Sequence, residues 1–305
     1  MCRLFIHCQC WLFSAFILLG CASCKPAPPT DARVRHTFID ELNRPVAVVE
    51  NPQRIISLAP NVTEMLFALG LGERVVAVTS YCDYPPAAKT KEKIGDTLHP
   101  NLERILTLRP DLVVISTASQ VERLAQQLEQ LNIPLYVTNP RSVRDVTVAI
   151  RHLGEVTGVD AAAQTLANQL TARINAVEKR SVALSKPRVL FVLQLAPLIT
   201  VGRGTFINNL LILAGGDSIS SDAVNDYPQF SREAVIARAP EIIVAPDAHG
   251  GSEITDAELR ATFATTPAAR TGRIVRLNPD LTSRPGPRLI DGLEQLAQAL
   301  HPEKP

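Results

Sequence analysis

A fourteen-residue pattern recurs in this chain, once in each half, with similar rather than identical residues. Residues 101–114, NLERILTLRPDLVV, align without a gap on residues 231–244, SREAVIARAPEIIV. In each copy a capping residue, Asn101 or Ser231, opens a predicted helix, and a proline followed by an acid leads into an apolar strand. Two copies are too few for a solenoid. The repeat therefore predicts two α/β lobes related by pseudo-symmetry.

Short β-rich runs alternate with amphipathic segments through most of the chain, which is typical of βαβ units around a buried parallel sheet. A small β-hairpin is predicted around residues 41–45 as an entry element. The predicted strands cover 55–58, 75–78, 112–115, 135–138, 189–193, 242–245 and 274–277, and a last helix covers 289–300. This order of elements predicts an α/β fold of the Rossmann-like type.

A long helical pattern separates the two sets of strands. Apolar residues recur at helical spacing over 143–177, with an interruption at Gly158. We therefore predict an N-terminal lobe over 34–140, a bridging helix within 141–186 and a C-terminal lobe over 187–305.

The first 24 residues have the features of a signal peptide. A short segment with Arg3 precedes the apolar run 11–19, which is too short to span a bilayer comfortably. The run ends in Leu18-Leu19-Gly20-Cys21, which resembles the lipobox of bacterial lipoproteins. Cys21 is the predicted lipidated residue and Cys24 a second candidate. Simple cleavage and an uncleaved anchor helix are the alternatives.

The composition beyond this leader narrows the compartment and the partners. Residues 25–33 are rich in proline and predict an extended tether, so we expect a periplasmic or cell-surface protein held at the membrane. Of the six cysteines only Cys82 lies beyond the leader, which excludes an intradomain disulfide and a cysteine-based zinc site. The 31 basic residues nearly balance the 30 acidic ones, so nucleic acid is not expected as a partner.

Five segments carry a resemblance to a known family. They are 58–64 (LAPNVTE), 78–86 (VTSYCDYPP), 101–105 (NLERI), 227–233 (YPQFSRE) and 284–288 (RPGPR). In this order and spacing the chain resembles the periplasmic binding proteins that serve cobalamin, iron–siderophore and haem importers, and the cobalamin-binding branch most closely. The resemblance runs from about Arg54 to the C-terminal helix. It implies two α/β lobes bridged by one long helix, with the ligand in a cleft between the lobes.

The resemblance assigns candidate ligand contacts. Tyr81 matches an aromatic residue that packs against the corrinoid, and Tyr227 stands where the cobalamin branch has a tryptophan on the opposite lobe. Arg284 matches an arginine that reaches into the cleft, and Asp280 precedes it at the matching distance. A flat macrocycle gains from aromatic contacts, and an arginine offers a fork of donors to phosphate or amide groups. A tyrosine packed in a turn and a solvated loop arginine are the alternatives.

Three cleft positions depart from the cobalamin branch. Thr97 and Ile199 stand in place of a tryptophan and a phenylalanine, and Ser283 stands in place of a glutamate. The implied stacking surface is therefore thinner, so related corrinoids, haem and ferric siderophores are candidate ligands beside cobalamin. Any of these is a transported ligand, and no resident cofactor is expected.

Glu103 and Glu233 occupy equivalent places in the two repeats. The resemblance matches them to two acids, one per lobe, that dock onto arginines of the membrane permease of an ABC importer. Stabilisation of a helix by an acid in its first turn, worth about 0.3–1 kcal/mol, is the alternative, and the two roles are compatible. The implied partners are the permease with its ATPase and the small-molecule ligand, and the binding protein is expected to be a monomer.

Two other classes of function have weaker support in the sequence. It has no G-x-S-x-G, H-E-x-x-H or P-loop motif, and Gly202-Arg203-Gly204 lacks the third glycine of a dinucleotide fingerprint, so an enzyme is not expected. A free-metal receptor would use His99, His249 and Asp280 as ligands. Exposed loop histidines are the more economical interpretation of that set.

Overall fold

In the computed structural model the described residues are 33–97, 99–117, 121–247 and 254–302. The predicted leader with Cys21 and Cys24, and His249 of the metal hypothesis, lie outside them. Within the described ranges, no helix has the length and apolar character needed to cross a membrane. The elements below all belong to one unit, Val34–Pro305.

The N-terminal half is built on a parallel sheet. It begins with an antiparallel hairpin, β1 (Arg35–Ile39) and β2 (Pro45–Val49), at the predicted place. The parallel strands are β3 (Ile55–Ser57), β4 (Val75–Val78), β5 (Glu92–Lys93), β6 (Leu112–Ser116) and β7 (Leu135–Thr138), in the order β5-β4-β3-β6-β7. Strands β3, β6 and β7 are buried along their whole length, as expected for a parallel sheet covered on both faces.

The C-terminal half repeats this arrangement. Its strands are β8 (Arg188–Phe191), β9 (Gln194–Leu195), β10 (Leu198–Ile199), β11 (Asp217–Ser218), β12 (Ile242–Pro246) and β13 (Ile274–Leu277). Strands β9 and β10 form a short antiparallel pair, and the other four form a parallel sheet in the order β11-β8-β12-β13. Four strands of each sheet have the same relation to chain order: the first strand lies between the second and the third, and the fourth lies beyond the third. The corresponding orders are β4-β3-β6-β7 and β11-β8-β12-β13. The predicted α/β class with two parallel sheets is therefore confirmed.

Helices connect the strands and cover the sheets. They are α1 (Pro60–Ala68), α2 (Leu102–Leu108), α3 (Val121–Gln130), α4 (Val143–Thr157), α5 (Asp160–Val182), α6 (Phe206–Leu213), α7 (Arg232–Arg238), α8 (Asp256–Thr262), α9 (Pro267–Thr271), α10 (Pro279–Thr282) and α11 (Leu289–Leu300). Helix α11 has the bounds predicted for the last helix. Two short 3-10 helices cover Gly72–Arg74 and Pro86–Thr90.

The two sequence repeats form the same helix-to-strand unit. Asn101 before α2 and Ser231 before α7 each accept a hydrogen bond from the backbone amide three residues on, at 3.0 and 3.1 Å. Arg109 and Ala239 end these helices in the left-handed conformation, with φ of 44° and 46°. Each repeat then continues into a buried strand, β6 in the first repeat and β12 in the second. The predicted pseudo-symmetric unit is thus present in both halves, including the residues that cap its helix.

The acid after each proline has an equivalent structural role. A carboxylate oxygen of Asp111 accepts a hydrogen bond from the backbone amide of Arg54, at 2.9 Å, just before β3. A carboxylate oxygen of Glu241 accepts one from the backbone amide of Arg188, also at 2.9 Å, at the start of β8. Each acid therefore fixes the register between the two central strands of its sheet.

Residues 141–186 contain two helices rather than one. Helix α4 ends at Gly158, which has a φ of 72°, and α5 starts two residues later. A Cβ at Gly154 would lie 2.2 Å from the Cβ of Ala163, so the glycine lets α4 and α5 pack closely. The expected single helix is thus a packed pair, of which the 23-residue α5 is consistent with the bridge. The lobe bounds stay a prediction.

One cluster of buried apolar side chains is shared by both halves. It includes Val62 of α1, Leu153 of α4, Ile174 of α5, Leu210 of α6 and Leu293 of α11. Because these helices pack through one continuous core, the elements that surround the sheet edges are held in a fixed relation to one another.

Candidate ligand-binding cleft

A cleft of about 780 Å³ opens where the parallel strands end. On the N-terminal side it is lined by residues that follow β3, β6 and β7, such as Ala59, Thr117 and Asn139. On the other side it is lined by Leu193, which follows β8, and by Thr205 before α6. In α/β sheets, ligands bind outside the carboxyl ends of the strands, at the point where the strand order reverses. This position identifies the candidate ligand-binding cleft.

The apolar lining is concentrated on the C-terminal side of the cleft. Leu193, Phe206, Ile207 and Tyr227 contribute the larger side chains there. Three prolines, Pro60, Pro140 and Pro285, add rigid apolar surface elsewhere in the lining. Such a wall suits a flat apolar face of a ligand.

Neutral hydrogen-bonding side chains make up most of the polar lining among the described residues. They are Asn61, Thr97, Ser116, Thr117, Asn139, Thr205 and Ser283. The side-chain amide of Asn61 donates to the Ser116 hydroxyl at 3.2 Å, and the Thr117 hydroxyl donates to the Asn139 side-chain carbonyl at 2.7 Å. These contacts orient hydroxyl and amide groups along the N-terminal side of the cleft.

One ion pair joins the two sides of the cleft. Arg141 follows β7, and its Nη2 donates to a carboxylate oxygen of Asp226 at 2.8 Å and to the backbone carbonyl of Gly204 at 3.0 Å. Arg141, Gly204 and Asp226 all line the cleft. The positive charge of Arg141 is therefore compensated by an acid of the protein.

The second arginine of the lining, Arg284, is surrounded by acids. Its two terminal nitrogens lie 2.7 Å from Asp83 Oδ1 and 2.9 Å from Asp280 Oδ1, and Glu64 Oε1 is 3.8 Å away. Partial burial raises the pKa of Asp83, but the hydrogen bond and charge of Arg284 outweigh it, so that pKa is lowered below its ordinary value. Arg284 is thus held by carboxylates from both halves of the chain.

A buried ion pair behind the cleft is absent from the sequence predictions. Arg288 donates from Nε and Nη2 to the two carboxylate oxygens of Glu64, at 3.0 and 2.6 Å. The side chain of Glu64 is 2% exposed, and burial raises its pKa despite the hydrogen bonds and charge of Arg288. The guanidinium of Arg288 also lies over the ring of Tyr84, 3.9 Å from its centroid. Both residues of this ion pair lie in the segments that carry the family resemblance. Membership of those segments was the signal from which their importance could have been predicted.

Thr97, Tyr227 and Arg284, three of the predicted ligand contacts, line the cleft. Tyr227 is 54% exposed and lies next to Asp226, and burial of its hydroxyl raises its pKa. These positions are open to a ligand from the cleft. Ligand contact by them stays a prediction.

Tyr81, Ile199 and Asp280 are not among the residues that line the cleft. Tyr81 is 60% exposed, two residues before the Asp83 that holds Arg284. Ile199 lies in β10 and pairs with Gln229 in an isolated bridge. Asp280 forms an ion pair with Arg284, so the structure brings these two candidate ligand contacts together.

The two predicted docking acids lie on helices at equivalent places. Glu103 is in the first turn of α2 and Glu233 in the first turn of α7, and both side chains are exposed. Hydrogen bonds from its own backbone amide and from the Ser231 hydroxyl lower the pKa of Glu233, which stays ionised at neutral pH.

The residues of the metal hypothesis are not brought together. His99 is exposed and faces Asp96, with a ring nitrogen 3.4 Å from the carboxylate. Asp280 is occupied by Arg284. Over the described part of the chain, no group of three or more histidine, cysteine or acidic residues is placed to hold a metal ion.

The two similar sheets with a cleft at their strand ends define a bilobed binding protein of the α/β type. A family model described as periplasmic binding protein matches residues 55–281, and the chain belongs to this family. The predicted family resemblance is therefore confirmed.

Three similar proteins extend this finding. A vitamin B12-binding protein of Pectobacterium atrosepticum is 34% identical, over 82% of this chain and 88% of its own. An uncharacterized ABC transporter substrate-binding lipoprotein of Bacillus subtilis is 31% identical, over 96% of this chain and 95% of its own. The solved structure of an apo periplasmic haem-binding protein from Roseiflexus sp. RS-1 superposes with a TM-score of 0.74 at 31% identity, over 82% of this chain and 98% of that one.

Proposed function

We propose that this protein is the extracytoplasmic substrate-binding component of an ABC importer and that it binds cobalamin or a related corrinoid. The importer role is supported by the Bacillus subtilis relative, whose name describes an ABC transporter substrate-binding lipoprotein and which covers 96% of this chain. Membership of the periplasmic binding protein family supports binding and release of an unchanged ligand rather than turnover.

The observation that carries the ligand proposal is the charge balance of the cleft. Both arginines among its described lining residues, Arg141 and Arg284, already contact acids of the protein. Apart from Asp226, the other polar side chains of the lining carry hydroxyl and amide groups. A corrinoid carries neutral carboxamides around its ring, and these carboxamides pair well with such groups without needing a cation of the protein.

The apolar wall supports a planar macrocycle. Phe206 and Tyr227 lie on the same side of the cleft as Leu193. Aromatic faces and edges stabilise a flat conjugated ring at a small cost in conformational entropy. The hydroxyl and amide side then faces the periphery of the ring.

A haem or ferric siderophore is the second candidate ligand. It is supported by the 31% identity to a haem-binding protein of known structure. Haem carries two carboxylates, however, and an ionised carboxylate taken from water into a partly dry cleft needs a cation that is not already paired. The paired state of Arg141 and Arg284 therefore ranks the corrinoid first.

The membrane-facing part of the proposal concerns three residues. Glu103 and Glu233 are the acids that dock onto basic residues of the permease, one from each lobe, as a two-fold partner requires. Cys21 is the lipidated residue that holds the protein at the membrane, consistent with the lipoprotein named in Bacillus subtilis.

Competitive equilibrium dialysis tests the ligand proposal. The protein starting after Cys24 is dialysed against an equimolar mixture of cyanocobalamin and haemin, and each bound ligand is quantified by its visible absorbance. Absorbance is preferred to protein fluorescence because the single tryptophan, Trp11, lies in the predicted leader. We expect a preference for cyanocobalamin of at least about tenfold, equivalent to about 1.4 kcal/mol. Preferential retention of haemin would contradict the corrinoid assignment and favour haem, the second candidate ligand.

A further inference from the structure

The ion pair between Arg141 and Asp226 is the one charged contact among the described residues whose two partners both line the cleft and come from opposite sides of it. Arg141 comes from the segment between β7 and α4, and Asp226 from the segment between β11 and α7. Their side chains are 56% and 41% exposed and both residues line the cleft, so both are accessible to a ligand there.

The backbone around Asp226 is shaped to hold this carboxylate in place. A Cβ at Gly204 would lie 2.2 Å from Asp226 Oδ1, and a Cβ at Gly202 would lie 1.9 Å from the carbonyl oxygen of Asn225. The amide of Gly202 donates to the carbonyl of Asp226 at 2.8 Å. Only glycine permits such close approach. The Gly202-Arg203-Gly204 segment thus seats the loop of Asp226 against Arg141.

The pair determines how a charged ligand group would be received. An arginine presents a planar fork of donors that matches a carboxylate or phosphate. Asp226 and the carbonyl of Gly204 already accept from Nη2 of that fork, and the charge of Asp226 repels a second anion at the same place. A neutral carboxamide can donate a hydrogen bond to Asp226 and accept one from Arg141. Both of its hydrogen-bonding groups are therefore satisfied at this position.

We propose that Asp226 is a specificity-determining residue that excludes ligands carrying a carboxylate by neutralising Arg141. The inference rests on the proposed function and adds to it the reason why an amide-bearing corrinoid is preferred over its acidic counterparts. Discrimination of this kind comes from an unfavourable contact with the wrong ligand as much as from a favourable contact with the right one.

The test uses two ligands that differ by one charge. Cyanocobalamin is compared with its monocarboxylates, in which one propionamide is hydrolysed to the acid, and each positional isomer is titrated separately by calorimetry. Size, ring and axial ligands are the same in the two compounds. For the isomer whose acid faces Arg141, we expect wild type to bind the acid at least about tenfold more weakly than the amide. Asp226→Asn should reduce this ratio to about threefold or less, because the guanidinium becomes available.

Two variants separate this mechanism from a general loss of charge. Asp222→Asn removes an acid that pairs with Arg238 at 2.6 Å outside the cleft lining, and it should leave the ratio unchanged. Adding Arg141→Met to Asp226→Asn should restore the discrimination against the acid, because the freed guanidinium is then absent. If Asp226→Asn fails to bind cyanocobalamin, the same ratio of affinities for amide and acid is measured with Asp226→Ser instead.

The outcomes are distinct from those of the proposed function. Absence of cyanocobalamin binding to wild type would defeat the proposed function itself. If wild type binds cyanocobalamin but treats every isomeric acid within about twofold of the amide, or if Asp226→Asn leaves every ratio unchanged, the specificity role of Asp226 is overturned. That role is also overturned if the double variant keeps the relaxed ratio, since Arg141 would then not be the group that receives the acid.

Discussion

Replacement of both Glu103 and Glu233 by alanine is expected to reduce corrinoid uptake by cells to background while ligand affinity stays within about twofold of wild type. The two acids lie in the first turns of α2 and α7, the equivalent helices of the two sequence repeats, and both are exposed. A permease with two-fold pseudo-symmetry would contact both acids at once, so losing them removes the charge complementarity of the whole docking surface. Uptake of labelled cobalamin and calorimetry on the purified variant measure the two quantities.

A matched variant controls for the loss of two negative charges. Glu73 lies in the 3-10 helix Gly72–Arg74 and Asp160 begins α5, and both are exposed first-turn acids outside the repeats. Their double replacement by alanine should leave uptake near the wild-type rate. Loss of ligand binding in the Glu103 and Glu233 variant, or equal loss of uptake in the control, would remove the docking assignment.

The second large effect concerns the buried ion pair. Arg288→Met should lower the free energy of unfolding by about 3 kcal/mol or more, because the buried carboxylate of Glu64 loses its hydrogen-bonded cation and keeps only Arg284 at 3.8 Å. Chemical denaturation measures this change. Arg144→Met provides the control, since Arg144 contacts Glu178 at the same 2.6 Å but both side chains are nearly half exposed. That variant should lose less than about 1 kcal/mol.

The loss in Arg288→Met should depend on pH in a defined direction. Burial already raises the pKa of Glu64 in the native protein, and removing Arg288 takes away the hydrogen bonds and the nearer of the two positive charges that oppose this shift, leaving Arg284. An acid whose folded pKa exceeds its unfolded value binds protons more tightly in the native state, so stability falls as pH rises through that interval. The deficit of the variant should therefore be largest at neutral pH and shrink as acid protonates Glu64. A deficit that is constant across pH would contradict this origin.

The elements with local signals were predictable from the sequence. Each repeat contains its own cap, helix and strand within fourteen residues, and the structure reproduces the unit from Asn101 and from Ser231. Alternation of short buried runs indicated the strands of both parallel sheets except the two-residue edge strands β5 and β11. The break at Gly158 was visible too, but its consequence, a packed pair of helices, depends on the tertiary contact between Gly154 and Ala163.

The charged contacts that join the two halves of the chain around the cleft have no local signal. Arg141 and Asp226 are 85 residues apart, and Glu64 and Arg288 are 224 apart. Nothing in the spacing of such residues indicates that they meet, because their proximity arises only when the two halves are packed together. The predicted contact of Arg284 with a ligand likewise overlooked Asp83, whose carboxylate reaches the same guanidinium from a distant loop.

Matching a residue to a family position also does not fix what its side chain faces. Thr97 and Tyr227 line the cleft, whereas Ile199 lies in β10 and Tyr81 is exposed outside the lining. The direction of each side chain depends on the local loop and on its neighbours in the fold. The location of the cleft at the strand ends was therefore predictable, whereas ligand contact by each of these residues stays a prediction.

A calorimetric titration of the wild-type protein with cyanocobalamin at two salt concentrations would show whether the cleft binds a corrinoid through neutral groups. A corrinoid held in this way in a charge-balanced cleft should occupy one site per chain with a Kd below about 1 μM. Its affinity should change less than about threefold between about 0.1 M and about 1 M salt, although the Debye length falls from about 10 Å to about 3 Å. No saturable heat, or an affinity that falls more than about tenfold over this range, would contradict corrinoid binding by neutral groups.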